Sequence, residues 1–261
     1  MTKILYFSSF LILLFLSSVS TATTVFITKN QTPIYQENVP SYPVPIASIT
    51  KLMAAIVILD SDMNLSRKYR ITLEDVDRLK NSRSRLPVGS SLKGYHLLMV
   101  GLMSSDNRAM SALMRNYPGG YYKGVEQMNI NAYRFGMTNT VFVDPTGLNP
   151  SNRSTPHDLA ILVTRASDYK LIRKYTTMKS KVIRVGNRKL VYLNSNRLIR
   201  RGHWEKTVTS KTGFINEAGM CVVMEIDYNS DRFSVVVMNS NSSEGRFRVI
   251  EHLRRKHILP E

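Results

Sequence analysis

The spacing of apolar residues changes sharply near the N-terminal end of the chain. Apolar residues at Val25 and Ile27 are followed by a polar turn over residues 29–32 and then by Ile34 and Tyr35, a pattern that predicts a β-hairpin. Prolines at positions 40, 43 and 45 then interrupt regular structure. After them, one face of a helix beginning at Ser48 is predicted by apolar residues at helical spacing, namely Ile49, Leu52, Met53, Ile56 and Val57.

The rest of the chain divides into a helical part and a strand-rich part. Residues 65–160 carry mostly helical patterns, and Ser105 lies between two of the predicted helices. From about residue 181 the pattern is typical of an antiparallel sheet, in the segments KVIRV, LVYLN, KTVTSKT, GMCVVMEID and FSVVVMNS. A last apolar stripe predicts a helix packed on that sheet, and its members are Phe247, Ile250 and Leu253. This order predicts an α+β fold with a mainly helical insert between the first strands and the rest of the sheet.

Residues 1–22 have the pattern of an export signal. Lys3 precedes an apolar run, ILYFSSFLILLFL, and small residues follow at Ser20 and Ala22. The run is shorter than the roughly 20 residues that a membrane-spanning helix needs. We therefore expect a signal peptide cleaved near Ala22 and a mature protein in the periplasm, with an uncleaved N-terminal anchor as the alternative.

Composition narrows the possible functions. Cys221 is the single cysteine, so an intramolecular disulfide is excluded, and its apolar surroundings predict a buried, unreactive thiol. The five histidines show no metal-ligand spacing, so neither a metal nor another cofactor is expected. The formal charge of +17 would suggest nucleic acid in a cytoplasmic chain. In an exported chain it favours peripheral contact with an anionic cell-wall or membrane surface, and no nucleic acid.

The first candidate catalytic motif is S-x-x-K, which occurs three times in this chain. Only Ser48 and Lys51 stand at the head of a strongly apolar helix. A lysine drawn into such an interior loses hydration, so its pKa falls and it can act as a base for the serine hydroxyl. The alternative is that Ser48 caps the helix and Lys51 extends its ammonium group to solvent.

Two further motifs favour catalysis. S-D-N occurs once, as Ser105-Asp106-Asn107, and K-T-G occurs once, as Lys211-Thr212-Gly213. Taken alone, the first could be a helix cap and the second an ordinary strand end. In the order S-x-x-K, S-D-N, K-T-G they form the active-site set of class A β-lactamases and penicillin-binding proteins.

The chain resembles the low-molecular-mass penicillin-binding D-alanyl-D-alanine peptidases, and the endopeptidases among them most closely. Similar stretches cover most of residues 45–225 and include IASITKLMAAIVILD, LMSSDNRAMSAL, FGMTNTVFVDPTGLNPSNRSTPHDLA and SKTGFINEAGMCVVM. The resemblance implies a β-lactamase/transpeptidase-like fold in one peptidase domain over residues 23–261, with a helical subdomain at about 65–160 forming the second wall of the cleft. It also implies hydrolysis of peptidoglycan cross-links and covalent inhibition by β-lactams.

The resemblance, together with the chemistry, assigns catalytic roles to a few positions. Ser48 Oγ would attack a D-alanyl carbonyl while Lys51 takes its proton, and Ser105 would relay a proton to the leaving amine. Backbone N–H groups of Ser48 and Phe214 would form the oxyanion hole.

Other motif residues would bind the substrate. Asn107 would orient Lys51 and the substrate amide, and Lys211 would add positive charge that keeps Lys51 neutral and attracts an anionic substrate. Thr212 would offer a hydroxyl to a substrate carboxylate or carbonyl, and Gly213 would let the peptide lie against the strand. Asp144, in the segment DPTGLNP, is expected to organise a loop near the site and not to take part in the chemistry.

Other functions remain open at this point. A class A β-lactamase needs a deacylating glutamate, usually within E-x-x-L-N, and this chain has no such pentapeptide. A D-alanyl-D-alanine carboxypeptidase and a non-catalytic β-lactam sensor share the motifs. A polyanion-binding protein would depend on charge alone and would be indifferent to loss of Ser48.

Overall fold

A computed structural model describes residues 22–202 and 206–258. The predicted signal peptide therefore lies outside the described residues, apart from Ala22. In the part of the chain that is described, no helix is both long and apolar enough to cross a membrane.

The strands are β1 (Thr24–Lys29), β2 (Thr32–Glu37), β3 (Val44–Pro45), β4 (Lys68–Arg70), β5 (Ser91–Lys93), β6 (Arg153–Ser154), β7 (Ser180–Val185), β8 (Arg188–Leu193), β9 (Thr207–Ile215), β10 (Gly219–Tyr228) and β11 (Asp231–Ser240). The helices are α1 (Lys51–Leu59), α2 (Gly94–Met103), α3 (Asn107–Arg115), α4 (Gly120–Arg134), α5 (Pro156–Ser167), α6 (Lys170–Thr177), α7 (Arg197–Arg201) and α8 (Ser243–Leu253). Short 3-10 turns cover Ala47–Thr50 and Leu73–Asp75, and a π-helical turn covers Arg254–Ile258.

The central sheet is antiparallel and has the order β2-β1-β11-β10-β9. The predicted N-terminal hairpin is β1–β2, and its turn residues Asn30 and Gln31 both have positive φ, as a tight two-residue turn requires. The first strand pairs with the last, Val25 lying opposite Val237. The helical insert is therefore connected between strands of one sheet, as predicted, and β9 is left at the sheet's edge.

The segments KVIRV and LVYLN do not join this sheet, contrary to the sequence-based expectation. They form β7 and β8, a separate hairpin in which Val182 lies opposite Val191. Ile183 and Tyr192 on one face of the hairpin are buried in the helical core, whereas Val182 and Val191 on the other face are about half exposed. The hairpin buries its inner face against helices, so it needs no further strand partner.

Apolar side chains of the sheet belong to two hydrophobic cores, one on each face of the sheet. Along β10, Val222 and Met224 face the core that contains α8, whereas Cys221 and Val223 face the helical insert. The two-residue alternation of a strand produces this division. The predicted stripe of α8 packs on the sheet, and Phe247, Ile250 and Leu253 are all buried there.

Helix α1 runs through the centre of the larger core. Every residue from Lys51 to Ile58 is buried, which is expected of a helix that is apolar on all sides. The predicted start at Ser48 needs correction, because Ala47–Thr50 form a 3-10 turn and the α-helix begins at Lys51. Ala47 enters this turn with φ of +48°, which places the serine on a strained, sharply bent segment ahead of the helix.

Candidate active site

Ser48 and Lys51 form a contact at the head of the central helix. Lys51 Nζ lies 2.7 Å from Ser48 Oγ, and the lysine side chain is fully buried. The alternative, in which Ser48 caps the helix and Lys51 extends to solvent, is not observed. No side-chain cap hydrogen bond is present at the start of this turn or of α1, and Lys51 is buried. The other two S-x-x-K serines, Ser90 and Ser167, donate to nearby backbone carbonyls instead.

Lys51 has the environment of a base. Its Nζ donates to Asn107 Oδ1 at 2.6 Å and to the Thr146 carbonyl at 2.7 Å. Burial lowers the pKa of Lys51 from 10.5 to about 7, although the nearby carboxylates of Asp144 and Asp106 act in the opposite direction. Both partners can only accept at these atoms, so they hold two N–H groups of a neutral amine and leave its lone pair facing Ser48.

The S-D-N motif spans the junction between α2 and α3. Asp106 is the N-cap of α3, where its carboxylate accepts from the Ala109 N–H at 3.0 Å and from Ser84 Oγ at 2.8 Å. The motif is therefore a helix cap as well as a candidate catalytic motif, because the cap formed by Asp106 fixes Ser105 and Asn107 on either side of it. Ser105 has φ of +60°, a strained value for serine, and its hydroxyl faces the site. Asn107 is oriented through its amide nitrogen, which donates to Ser82 Oγ at 2.8 Å.

The K-T-G motif lies within β9. Lys211 Nζ donates to Ser105 Oγ and to the Thr212 carbonyl, both at 2.8 Å, and its side chain is almost fully buried. Burial lowers the pKa of Lys211, and the positive charges of Lys51 and Arg246 lower it further. Thr212 donates its hydroxyl to Ser195 Oγ at 2.6 Å. The second and third motifs thus meet at the Lys211–Ser105 contact.

Gly213 brings the edge strand against the turn that carries Ser48. A Cβ atom at position 213 would lie 3.0 Å from the Ile46 carbonyl oxygen and 3.2 Å from Ser48 N, closer than a side chain tolerates without movement. The Gly213 carbonyl accepts from the buried guanidinium of Arg246 at 3.2 Å. In a trans peptide the N–H points opposite to the C=O, so the Phe214 N–H is directed away from Arg246.

Asp144 organises the loop beside Lys51 through five hydrogen bonds. One carboxylate oxygen accepts from the backbone N–H groups of Thr146 and Gly147 and from the Thr146 hydroxyl, at 2.6–2.7 Å. The other accepts from Asn149 N and Asn152 Nδ2, at 2.9 and 2.7 Å. These bonds fix the Thr146 carbonyl against Lys51, so the expected structural role of Asp144 agrees with the structure.

The backbone of this loop also packs directly on the turn that carries Ser48. Gly147 has φ of +77°, and a Cβ there would lie 1.8 Å from the Ala47 carbonyl oxygen. Only glycine fits both the conformation and the space.

Several site residues were not found by sequence reasoning. Thr146 contributes a backbone carbonyl, which no side-chain motif reveals. Ser82, Ser195 and Arg246 act on motif residues from distant segments, and nothing in their local sequence distinguishes them. Among residues 22–202 and 206–258, no group of histidine, cysteine and carboxylate side chains could hold a metal ion.

The environment of Cys221 agrees with the prediction of a buried thiol. The thiol is fully buried and free, and burial raises its pKa to about 11. It is therefore a structural residue and has no part in the site.

The assembled geometry agrees with comparisons to known proteins. A family model described as Peptidase S11, D-alanyl-D-alanine carboxypeptidase, matches residues 16–242. The chain belongs to the S11 peptidase family. This S11 peptidase is 40% identical over 224 residues to a D-alanyl-D-alanine endopeptidase of Pseudomonas aeruginosa, covering 85% of this chain and 72% of that protein. It is 35% identical over 238 residues to a D-alanyl-D-alanine endopeptidase of Escherichia coli, covering 90% and 76%.

Solved structures identify the fold of this S11 peptidase. The Streptomyces K15 DD-transpeptidase matches with a TM-score of 0.81, covering 88% of this chain and 94% of that chain. Identity is only 24%, so this likeness supports the fold alone. The fold and the family expected from the sequence are both confirmed.

Proposed function

We propose that this chain is a serine-type D-alanyl-D-alanine endopeptidase that hydrolyses peptide cross-links of peptidoglycan through an acyl-enzyme on Ser48. The observation that carries the proposal is the buried contact of 2.7 Å between Lys51 Nζ and Ser48 Oγ. With the pKa of Lys51 lowered to about 7, much of the lysine is neutral at physiological pH and can accept the serine proton.

Acylation follows from the positions of the donors and acceptors. Asn107 and Thr146 hold the two N–H groups of neutral Lys51, so its lone pair accepts the proton as Ser48 Oγ attacks the D-alanyl carbonyl carbon. Negative charge develops on the carbonyl oxygen, which the backbone N–H groups of Ser48 and Phe214 would stabilise. Gly213 keeps these two N–H groups close together, because β9 packs directly on the turn that carries the serine.

Ser105 and Lys211 serve the leaving amine. The Ser105 hydroxyl lies 2.8 Å from Lys211 Nζ, and its strained backbone keeps it at the site. Ser105 would pass its proton to the departing amine and recover the proton that Lys51 took from Ser48, which leaves Lys51 neutral again. A water molecule then attacks the acyl-enzyme, with Lys51 again as base, and Ser48 is released.

Substrate binding would use the edge of β9 that has no neighbouring strand in the described part of the sheet. Thr212 offers a hydroxyl whose orientation is set by Ser195, and Gly213 leaves room for a peptide to lie along the strand. The carboxamide of Asn107 would accept or donate to the substrate amide while its other contacts hold Lys51 and Ser82.

Cleavage of cross-links, as opposed to terminal residues, is supported by the two relatives named D-alanyl-D-alanine endopeptidase, which match most of this chain. The test is chromatography of muropeptides after the purified protein acts on sacculi rich in D-alanyl-diaminopimelate cross-links. We expect dimers to fall and monomers to rise, with Ser48→Ala as the inactive control. Loss of terminal D-alanine alone would favour a carboxypeptidase instead.

Covalent labelling tests the nucleophile itself. A fluorescent penicillin should attach to the wild-type protein at Ser48 and not to Ser48→Ala. Continuous release of peptide products would separate the peptidase from a sensor, which would acylate and stop. Normal labelling of Ser48→Ala would contradict the assignment.

We also propose that the protein works in the periplasm after export. The leader pattern supports export, and the charge of +17 supports contact with anionic wall or membrane surfaces. N-terminal sequencing of the protein recovered from a periplasmic fraction would test both the compartment and cleavage near Ala22.

A further inference from the structure

A cavity that none of the roles above uses lies beyond the end of β9. Its volume is about 480 Å³. Two charged side chains of opposite sign, Glu217 and Arg153, line it. Its remaining walls combine amides, hydroxyls and apolar groups, including Asn38, Tyr42, Val44 and Pro45.

The cavity is linked to the active site by two stretches of chain. β9 ends at Ile215 just after Phe214, and the turn that follows carries Glu217. On the other side, Pro45 of β3 lies just before the 3-10 turn that carries Ser48, and it pairs with Arg153 of β6. At about 3.3 Å per residue, Glu217 lies within about 13 Å of Gly213 along the chain.

The direction in which the substrate lies along β9 decides whether its acyl part or its amine part approaches the cavity. Ser105 and Lys211, which serve the leaving amine, lie on the side of β9 that precedes Gly213. The amine arm would therefore lie towards Lys211, and the acyl arm, on the opposite side of the reacting carbonyl, would run past Phe214. This arm is the donor peptide, and its residue before D-alanine is the one directed at the turn containing Glu217.

The charged side chains of the cavity, Glu217 and Arg153, are placed where they could bind the donor peptide. Glu217 accepts from Lys80 at 2.5 Å, and this contact lowers the pKa of the Glu217 carboxyl, which keeps it ionised. Lys80 belongs to the same loop as Ser82, so the ion pair joins the two walls of the cleft at its donor end. Arg153 donates only its Nε to the Pro43 carbonyl, and its two terminal nitrogens have no partner among the described residues.

We propose that this cavity binds the side chain of the residue that precedes D-alanine in the donor peptide, and that it selects a diamino dicarboxylic acid there. This inference rests on the proposed endopeptidase function. Where the residue before D-alanine is itself diaminopimelate, its side chain ends in a free ammonium and a free carboxylate. Glu217 would pair with the ammonium, Arg153 with the carboxylate, and Val44 and Pro45 would pack on the methylene groups.

The reach of such a side chain agrees with the spacing. One to two residues from the reacting carbonyl at about 3.5 Å each, plus about 6 Å of extended side chain, give about 10–13 Å. A lysine in place of the diamino acid would keep the ammonium but leave Arg153 without a carboxylate.

The experiment compares three synthetic cross-linked peptides that differ only at this donor residue, which is meso-diaminopimelate, the same residue with its side-chain carboxyl amidated, or L-lysine. For the wild-type protein we expect kcat/KM for the diaminopimelate peptide to exceed that for the other two about tenfold, as a charge-assisted bidentate contact implies. In Arg153→Gln the ratio should fall to about one. Arg153→Lys keeps the charge and should retain part of the preference.

Lys80→Met is the matched control, because it breaks the ion pair without removing either proposed ligand group, and it should retain the preference. Thermal unfolding midpoints identify any variant that does not fold, and the wild-type comparison of the three peptides needs no variant at all. Equal kcat/KM for the three peptides in the wild type, or an unchanged ratio in folded Arg153→Gln, would overturn the inference while leaving endopeptidase activity in place. A wild-type protein that cleaves none of the peptides would overturn the proposed function, and this inference with it.

Discussion

Replacing Asn107 by aspartate changes the charge beside the proposed base while keeping the shape of the side chain. Asn107 Oδ1 lies 2.6 Å from Lys51 Nζ, and the pKa of Lys51 is lowered to about 7 by burial. A carboxylate in that place would favour the ammonium form of the lysine. An opposite charge within about 4–6 Å shifts a pKa by about 1–3 units, so the variant's midpoint is expected at about 8–10.

The kinetic consequence follows from the fraction of neutral lysine. In the wild type about half of Lys51 is neutral at pH 7, and the acylation rate should fall about tenfold for each pH unit below that midpoint. In Asn107→Asp the neutral fraction at pH 7 falls to roughly one tenth to one thousandth, so acylation at pH 7 should be about 5- to 500-fold slower. The deficit should narrow as pH rises towards 10, because the neutral fraction of Lys51 then increases in the variant and is already near its maximum in the wild type.

The assay is the second-order rate constant for acylation by a fluorescent penicillin, measured by stopped flow from pH 5 to pH 10. Ser82→Ala is the matched control, because it removes the hydrogen bond that orients Asn107 but adds no charge, and its midpoint should stay near that of the wild type. A wild-type rate that does not change between pH 5 and pH 9 would refute Lys51 as the base. A midpoint that does not move in Asn107→Asp would refute the electrostatic coupling between these two side chains.

Three further experiments test the loop beside Lys51 and the packing of the sheet. Asp144→Ala removes five hydrogen bonds from its loop and should lower the free energy of unfolding by about 3 kcal/mol in urea titration, whereas Asp144→Asn should lose less. Gly147→Ala places a Cβ 1.8 Å from a carbonyl oxygen, so thermal unfolding should occur at lower temperature and penicillin acylation should slow at least tenfold. The Cys221 thiol should resist iodoacetamide at pH 8 in the folded protein and react only in denaturant, because it is buried with its pKa raised to about 11. Rapid labelling of the native protein would show that this strand opens.

The sequence contained most of the fold because burial follows from local spacing. The apolar stripe of α8 predicted that this helix packs on the sheet, and its three residues are found in the core there. The hairpin β7–β8 was misassigned to the main sheet for the same reason. Alternation reports that one face of a strand is buried, but it does not report whether a helix or another sheet covers that face.

The site was predictable to the extent that its chemistry resides in motif side chains. Ser48, Lys51, Ser105 and Lys211 meet as the motif order implied. The Thr146 carbonyl could not be predicted, because its position depends on a loop whose shape is set by many weak contacts. The S-D-N motif shows a further limit of sequence reasoning. Its Asp106 caps a helix while Ser105 and Asn107 on either side face the site, so the structural and catalytic interpretations of the motif could not be separated.

The bonding of the loop around Asp144 has a consequence for antibiotic resistance. A class A β-lactamase uses a carboxylate to activate water against the trapped acyl group, and Asp144 is an acid close to Lys51. Its oxygens already accept five hydrogen bonds that keep the loop in place, so recruiting it would dismantle the support of the very lysine that acylation needs. Evolution of this protein into an efficient lactamase of this type would therefore require a new acidic residue beside the acyl group, because Asp144 already holds its loop in place.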